Sequence, residues 1–348
     1  MKKNNQKQSF REAKAKVKMR TKSSSPTRAK RRVKMRAKLS SPYVIGVDGG
    51  GTKTVAALAN LKGQILAKHQ ADSSHPRNIG IKKAIENLAQ AIEKVLVKIK
   101  GDKKILSTFL GLPAMEEEFK FKKDIIKREL LKRKKISPIF KGKLIIGSDQ
   151  LIGFRSGTNE KDGIVLISGS GCVCHGWRGK KEAKVCGWGY LSEMGSGFWI
   201  GQRALQAIWK DLDERGPKTL VTKLVFQKLK IKNKEDLIRK IYSRNPSEAI
   251  LPLSVLVDKA SRNGDKIAKN ILVEAGKELV LSTNTVIKKL NFQDQKFPVV
   301  LIGSVFKSKV VLDTVKEEIK KLAPKAQFIR PKQEPVIGAV KLAIEQLK

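Results

Sequence analysis

Two glycine-rich segments hold the residue types best suited to phosphate chemistry. The first is Gly49-Gly50-Gly51, with Asp48 ahead of it and Thr52 and Lys53 behind. The second is Gly169-Ser170-Gly171. A glycine loop lets backbone N–H groups come close to a phosphate, because no Cβ intervenes and positive φ is allowed. Thr52 and Ser170 add hydroxyl donors at the loop tips. Asp48 is placed to hold water around a Mg²⁺ ion that bridges phosphates. Either loop alone also reads as a tight turn. Two of them on opposite walls can grip the phosphate tail of one nucleotide.

The elements around the loops repeat. Tyr43-Val44-Ile45-Gly46-Val47 is a short apolar strand ending at Asp48. Thr54 to Leu61 resumes as a strand, Lys62-Gly63 reads as a turn, and Gln64 to Ala67 returns. In the second copy Ile164 to Ile167 is the strand, Cys172 to Trp177 the next, Arg178-Gly179 the turn and Lys184 to Cys186 the return. A dinucleotide fingerprint or a Walker loop would instead open a helix straight after its glycines. Two copies of strand, glycine loop and hairpin imply a duplicated two-domain architecture with a cleft between the halves. Ile85, Leu88, Ala89, Ile92, Val95, Leu96 and Ile99 share one helical face, and a longer helix runs from Ile267 to Leu290. Alternating strands and helices give an α/β class.

Composition narrows the class further. The chain has 348 residues, 40% of them hydrophobic, which suits a folded protein with two cores. No apolar run approaches the roughly 18 residues of a membrane span, and no apolar segment follows the charged N-terminus, so a cytoplasmic protein without membrane contact is expected. Residues 1–42 hold 16 Lys/Arg and one acid, and read as a disordered basic tail. A nucleic-acid tether, a targeting peptide, a solvated tail and a start codon assigned too far upstream all stay open for it. The other residues hold 58 Lys/Arg and 31 acids, so the net charge of +42 is spread over most polar faces. A nucleic-acid footprint should instead cluster on one face.

Four motifs in order then resemble a known family: Asp48-Gly-Gly-Gly-Thr-Lys-Thr54, Ile167-Ser-Gly-Ser-Gly171, Gly187 to Gly197, and Gly303-Ser-Val-Phe-Lys-Ser308. They are similar to the N-acetylglucosamine kinases and, more broadly, to the BadF/BadG/BcrA/BcrD-type ATPases of the actin–hexokinase superfamily. The resemblance implies two ribonuclease-H-like domains with ATP between them, spanning 43–118 completed by 333–348, and 119–332. It implies phosphorylation of N-acetylglucosamine or a related amino sugar at the 6-hydroxyl, with ATP and Mg²⁺, in a homodimer. Gly50, Gly51, Thr52, Lys53, Gly169, Ser170 and Gly171 then face phosphate. Gly303, Ser304, Ser308 and Ala260 fall on the adenosine side. Asn78, Gly187, Trp188, Gly189 and Glu193 match sugar-binding positions, Glu193 standing where the family has aspartate. The family's catalytic aspartate follows a Gly-Leu-Ala-Gly-like turn. Here Gly111-Leu-Pro-Ala-Met-Glu116 offers Glu116 as general base and substrate contact, with Glu117 and Glu118 directly after it.

The remaining candidates are weaker. Asp149 ends the run Leu144 to Ser148, where it positions metal or substrate or merely caps the next helix. Cys172, Cys174, His175 and Cys186 converge poorly as metal ligands, since Cys172 and Cys174 share one strand face and His175 points to the other. Cys174 and Cys186 match a cysteine pair of some family members, and packing is their expected role. His69 and His75 are expected at the surface. Two rival functions follow from the same family. One is the ATPase that activates a 2-hydroxyacyl-CoA dehydratase or benzoyl-CoA reductase through a cluster held by paired cysteines. The other is a sugar or nucleotide sensor with reduced catalysis.

Overall fold

The computed structural model describes residues 42–98, 104–113, 120–242 and 245–348. The first sheet comprises β1 (Pro42–Gly49), β2 (Lys53–Asn60), β3 (Ile65–Asp72), β4 (Lys104–Leu112) and β5 (Phe140–Ser148), in the order β3-β2-β1-β4-β5. β1 to β3 form an antiparallel meander, and β1, β4 and β5 run parallel. The second sheet comprises β6 (Gly163–Ser168), β7 (Cys172–Arg178), β8 (Lys181–Cys186), β9 (Phe297–Ile302) and β10 (Ala326–Ile329). Its order, β10-β9-β6-β7-β8, and its strand directions repeat the first sheet strand for strand. The duplication expected from the hairpins therefore extends to the parallel strands.

Central strands are buried because helices cover them. In β1 and β6 the residues Val44, Ile45, Ile164, Val165 and Leu166 are fully buried, as continuous apolar strands between two layers must be. β3 lies at an edge and alternates exposed and half-buried residues. Helix α1 (Pro76–Ile79) and helix α2 (Ile81–Leu96) follow β3, and α2 lays Ile85, Leu88, Ile92 and Val95 on the first sheet. Helix α3 (Lys120–Leu131) adds Ile126 and Leu130 to the same core. The first sheet runs past residue 118, where the sequence places the domain end, because β5 pairs with β4 through Ser148. A division near residue 149 keeps each sheet whole.

Helix α4 (Asp149–Gly157) starts at that point and leads into the second sheet, with Phe154 packed on Val165 and Val300. Helices α5 (Gly197–Leu212), α6 (Leu220–Leu229), α7 (Lys234–Ile241), α8 (Pro246–Ile250), α9 (Leu253–Arg262) and α10 (Lys266–Lys289) build the larger second core. After β9, helix α11 (Lys309–Leu322) leads to β10. The final helix, α12 (Pro335–Glu345), returns to the first sheet, where Val336, Ala339 and Val340 pack with Val44 and Val55. α4 and α12 cross backbone to backbone, since a Cβ on Gly338 would overlap the Ile152 carbonyl.

Candidate active site

The two glycine loops sit at matching ends of the two sheets, each between its first and second strand. Each is braced internally. The Gly50 N–H donates to the Lys53 carbonyl at 2.9 Å, and the Gly169 N–H donates to the Gly171 carbonyl at 2.9 Å. Thr52 and Ser170 stay exposed at the tips. The first loop is backed by the segment after β3: Ser74 N–H donates to the Gly50 carbonyl at 3.1 Å, and Ser73 Oγ to the same carbonyl at 3.2 Å. A Cβ on Gly51 would lie 3.8 Å from Asn78 Nδ2. Asn78 is thus exposed beside the first loop, although it is far away in sequence.

Gly303 closes on the second loop. Its φ is +116°, and a Cβ there would overlap the Ser168 carbonyl and stand 3.0 Å from Gly169 N. Only glycine satisfies both demands. Ser304 follows, exposed, in a short 3-10 turn, and Ser308 is buried at the head of α11 with an Oγ that has no protein partner. Ala260 is fully buried in the second core. Its carbonyl accepts from Asn263 and Asp265 N–H, so the position supports the α9–α10 corner.

Glu193 has a different neighbourhood from the one its motif suggests. It is 8% exposed, with Oε2 accepting from Cys172 N–H at 2.9 Å and Oε1 from Gly189 N–H at 2.8 Å. Its carboxylate therefore clamps the Gly187–Gly189 segment to the second glycine loop. Gly187 and Gly189 both have positive φ, and Trp188 between them is 70% exposed, with the Lys184 ammonium 5.3 Å from its ring.

The acids at the mouth are Asp48, where β1 ends, and Asp149, at the first turn of α4. Burial, then the negative charge of Asp149, raise Asp48 from 3.8 to about 6, with Lys53 pulling it down and Glu334 pushing it up. Burial likewise raises Asp149 to about 6, against the Gln150 N–H bond and the positive charge of Lys184. The helix cap is Ser148, whose Oγ accepts from Leu151 N–H at 3.2 Å, so Asp149 is not the capping residue. Lys184 belongs to β8 of the second lobe, and its positive charge acts on Asp149, which follows the first sheet's last strand. Lys184 is the residue that sequence reasoning missed as part of this site. Its only sequence signal is a place three residues before Gly187.

Glu116, Glu117 and Glu118 lie outside the described residues. Cys172 and Cys186 are hydrogen-bonded to each other, which pulls the Cys186 thiol down to about 6. Cys172 also bonds the Met194 carbonyl at 3.1 Å, Cys186 the Ser282 hydroxyl at 3.3 Å, and Cys174 the Thr283 hydroxyl at 3.8 Å. Among the described residues no group of three or more His, Cys, Asp and Glu side chains converges as a metal site. His75 caps α1 through Nδ1, and His69 lies on the edge strand β3.

Residues 45–343 match the BadF/BadG/BcrA/BcrD ATPase family. The chain belongs to that family. Among curated relatives of this chain, the N-acetyl-D-glucosamine kinase of Dictyostelium discoideum is 32% identical over 322 residues, covering 87% of this chain and 98% of that protein. The N-acetylmuramic acid/N-acetylglucosamine kinase of Clostridium acetobutylicum is 31% identical over 310 residues, covering 86% and 98%. Among solved structures, a Chromobacterium violaceum protein provisionally assigned as an N-acetylglucosamine kinase aligns with a TM-score of 0.65 at 23% identity, covering 86% of this chain and 98% of its own. A ROK family glucokinase from Streptomyces griseus, solved with glucose and AMPPNP, aligns at 0.54 and 15% identity, covering 87% and 99%. The fold is thus the two-domain α/β architecture of these ATPases. Among the described residues no helix is long and apolar enough to cross a membrane.

Proposed function

We propose that the protein is an ATP-dependent kinase that transfers the γ-phosphoryl group to the 6-hydroxyl of N-acetylglucosamine or a related amino sugar. The observation that carries this reading is the first sheet's register, which brings Asp48 at the end of β1 and Asp149 just after β5 to the same edge as the first glycine loop, with the charge of Lys184 from the second lobe acting on Asp149. The amino sugar kinase activities of two relatives at over 30% identity support the amino sugar as acceptor.

Asp48 fits a divalent cation, because burial and the negative charge of Asp149 push its carboxyl up to about 6 and a cation would relieve the cost of ionising it. Mg²⁺ supplies neutralisation of phosphate charge when bound. The rest falls to the chain. Thr52 and Ser170 hydroxyls, with the backbone of Gly50, Gly51, Lys53, Gly169 and Gly171, hold the phosphates. Gly303, Ser304 and Ser308 border the adenosine, with Ala260 behind them in the core. Asn78 and the Gly187-Trp188-Gly189 segment orient the sugar, and Glu193 sets the angle of that segment. A base near neutral pKa then accepts the hydroxyl proton as the oxygen moves on phosphorus. Asp149 meets that condition inside the cleft. Glu116 is the sequence's candidate for the same step, with Asp149 then contacting substrate.

The cytoplasmic homodimer expected for the family belongs to the same proposal. The dehydratase-activator reading fares worse, because Cys172 and Cys174 are buried inside one lobe and each thiol has its own hydrogen-bond partner. Coupled ADP release across a panel of hexosamines tests the kinase. Sugar-dependent turnover is expected, falling about 100-fold or more in Asp149→Asn with little change in sugar affinity. If Glu116→Gln falls instead and Asp149→Asn does not, the base is Glu116. Absence of sugar-dependent ADP release across the panel would overturn the proposal.

A further inference from the structure

A cavity of about 1110 Å³ opens at the far end of the sheets from the glycine loops. Its walls are the β2–β3 turn of the first lobe, the loop before β6 and the β7–β8 turn of the second, and the crossing helices α4 and α12. Both lobes therefore shape it.

The lining is cationic. Short of the chain terminus it holds Lys62, Arg155, Lys161 and Lys341 against Asp162 and Glu345. Both acids are engaged, Asp162 with the Gly179 N–H at 3.0 Å and Glu345 with the Arg155 guanidinium. Arg155 is 4% exposed; it also donates to the Glu160 carbonyl at 2.9 Å, and its Nε has no protein partner. Lys341 donates to the Arg155 carbonyl at 3.1 Å. Burial, then the charge of Arg155, hold the Lys341 ammonium below the usual lysine range, and Glu345 only partly offsets them. Glu345 answers the Arg155 charge, which leaves Lys341 and Lys161 in the lining without a carboxylate of their own. The chain's own residues 1–41 cannot supply it, since they hold 16 Lys/Arg and one acid.

We propose that this cavity binds a small molecule carrying phosphate with two or more negative charges, with Lys161, Lys341 and Lys62 as its contacts and Arg155 as the fixed charge behind them. The excess of two positive charges in the lining matches that ligand class, and the site is separate from the proposed kinase cleft. Binding needs no catalysis, so failure of the kinase reading leaves it standing.

Calorimetric titration with pyrophosphate at low salt tests it, using the full chain, the pair variant Lys161→Gln/Lys341→Gln and the pair variant Thr52→Ala/Ser170→Ala. A saturable site should persist in the Thr52→Ala/Ser170→Ala protein and weaken about tenfold or more in Lys161→Gln/Lys341→Gln, the scale of losing charged hydrogen bonds. Lys62→Gln, on an exposed turn that no core depends on, should weaken the same site by about threefold. Loss of all binding in Thr52→Ala/Ser170→Ala would overturn the proposal, because the anion would then sit on the glycine loops. So would equal affinity in wild type and both lysine variants, or no saturable heat.

Discussion

Asp48 ends an apolar strand and faces a second acid, and that placement has a cost that stability measurements can read. Folded Asp48 titrates near 6 and the unfolded carboxyl near 3.8, so the folded protein holds the extra proton between those values. Stability from this group therefore falls as pH rises from 3.8 through 6 and is level above. Asp48→Asn removes the penalty. Its melting temperature is expected to exceed that of wild type at pH 8, with the difference vanishing below pH 3.8, while turnover falls about 100-fold or more. Equal melting curves at pH 8 would show that Asp48 is not strained by burial. Lys184 acts in the other direction on Asp149, lowering its pKa. Lys184→Met should therefore move the acid limb of the kcat/KM profile to higher pH if Asp149 is the base, and an unmoved limb would show that it is not. Asp48 was legible in sequence because a glycine run follows it directly. Asp149 was only half legible, since the adjacent Ser148 competes for the cap and the approach to Asp48 spans the first sheet. That Glu193 gives both oxygens to backbone N–H groups has no local signal at all.

At the scale of elements, the hairpins were readable because their apolar runs and turns are contiguous, and the glycine loops stand between them. The parallel strands β4, β5, β9 and β10 depend on tertiary pairing, which explains why a boundary drawn at 118 divides the first sheet. Close approaches are equally hidden. Gly303 lies against the second glycine loop and Gly338 against the α4 backbone, and neither neighbour is local in sequence. Gly303→Ala should raise the KM for ATP severalfold or more while leaving sugar affinity near wild type, because the added methyl pushes on Ser168 and Gly169. A change confined to the sugar would place Gly303 elsewhere. Gly338→Ala is expected to destabilise the fold by about 1–3 kcal/mol, since a backbone carbonyl cannot step aside as a side chain can. Chemical denaturation checks it, and an unchanged midpoint would mean that the helix crossing is loose.

The whole molecule is two copies of one sheet joined by two crossing helices, and its cleft draws residues from both copies. Charge is a property of this scale too. With 58 Lys/Arg against 31 acids beyond residue 42, attraction to polyanions follows without any designed nucleic-acid face. Deleting residues 1–38 is expected to change neither melting temperature nor turnover, because that segment offers no core-forming pattern. A fall of several degrees would show that it packs on the domains. The proposed reaction passes phosphate to a sugar and not to water. Phosphorus-31 NMR of the protein with Mg-ATP and N-acetylglucosamine tests it most directly. Loss of the γ-phosphate is expected, matched by one phosphomonoester on the 6-oxygen; inorganic phosphate alone, formed with or without the sugar, would contradict the kinase reaction.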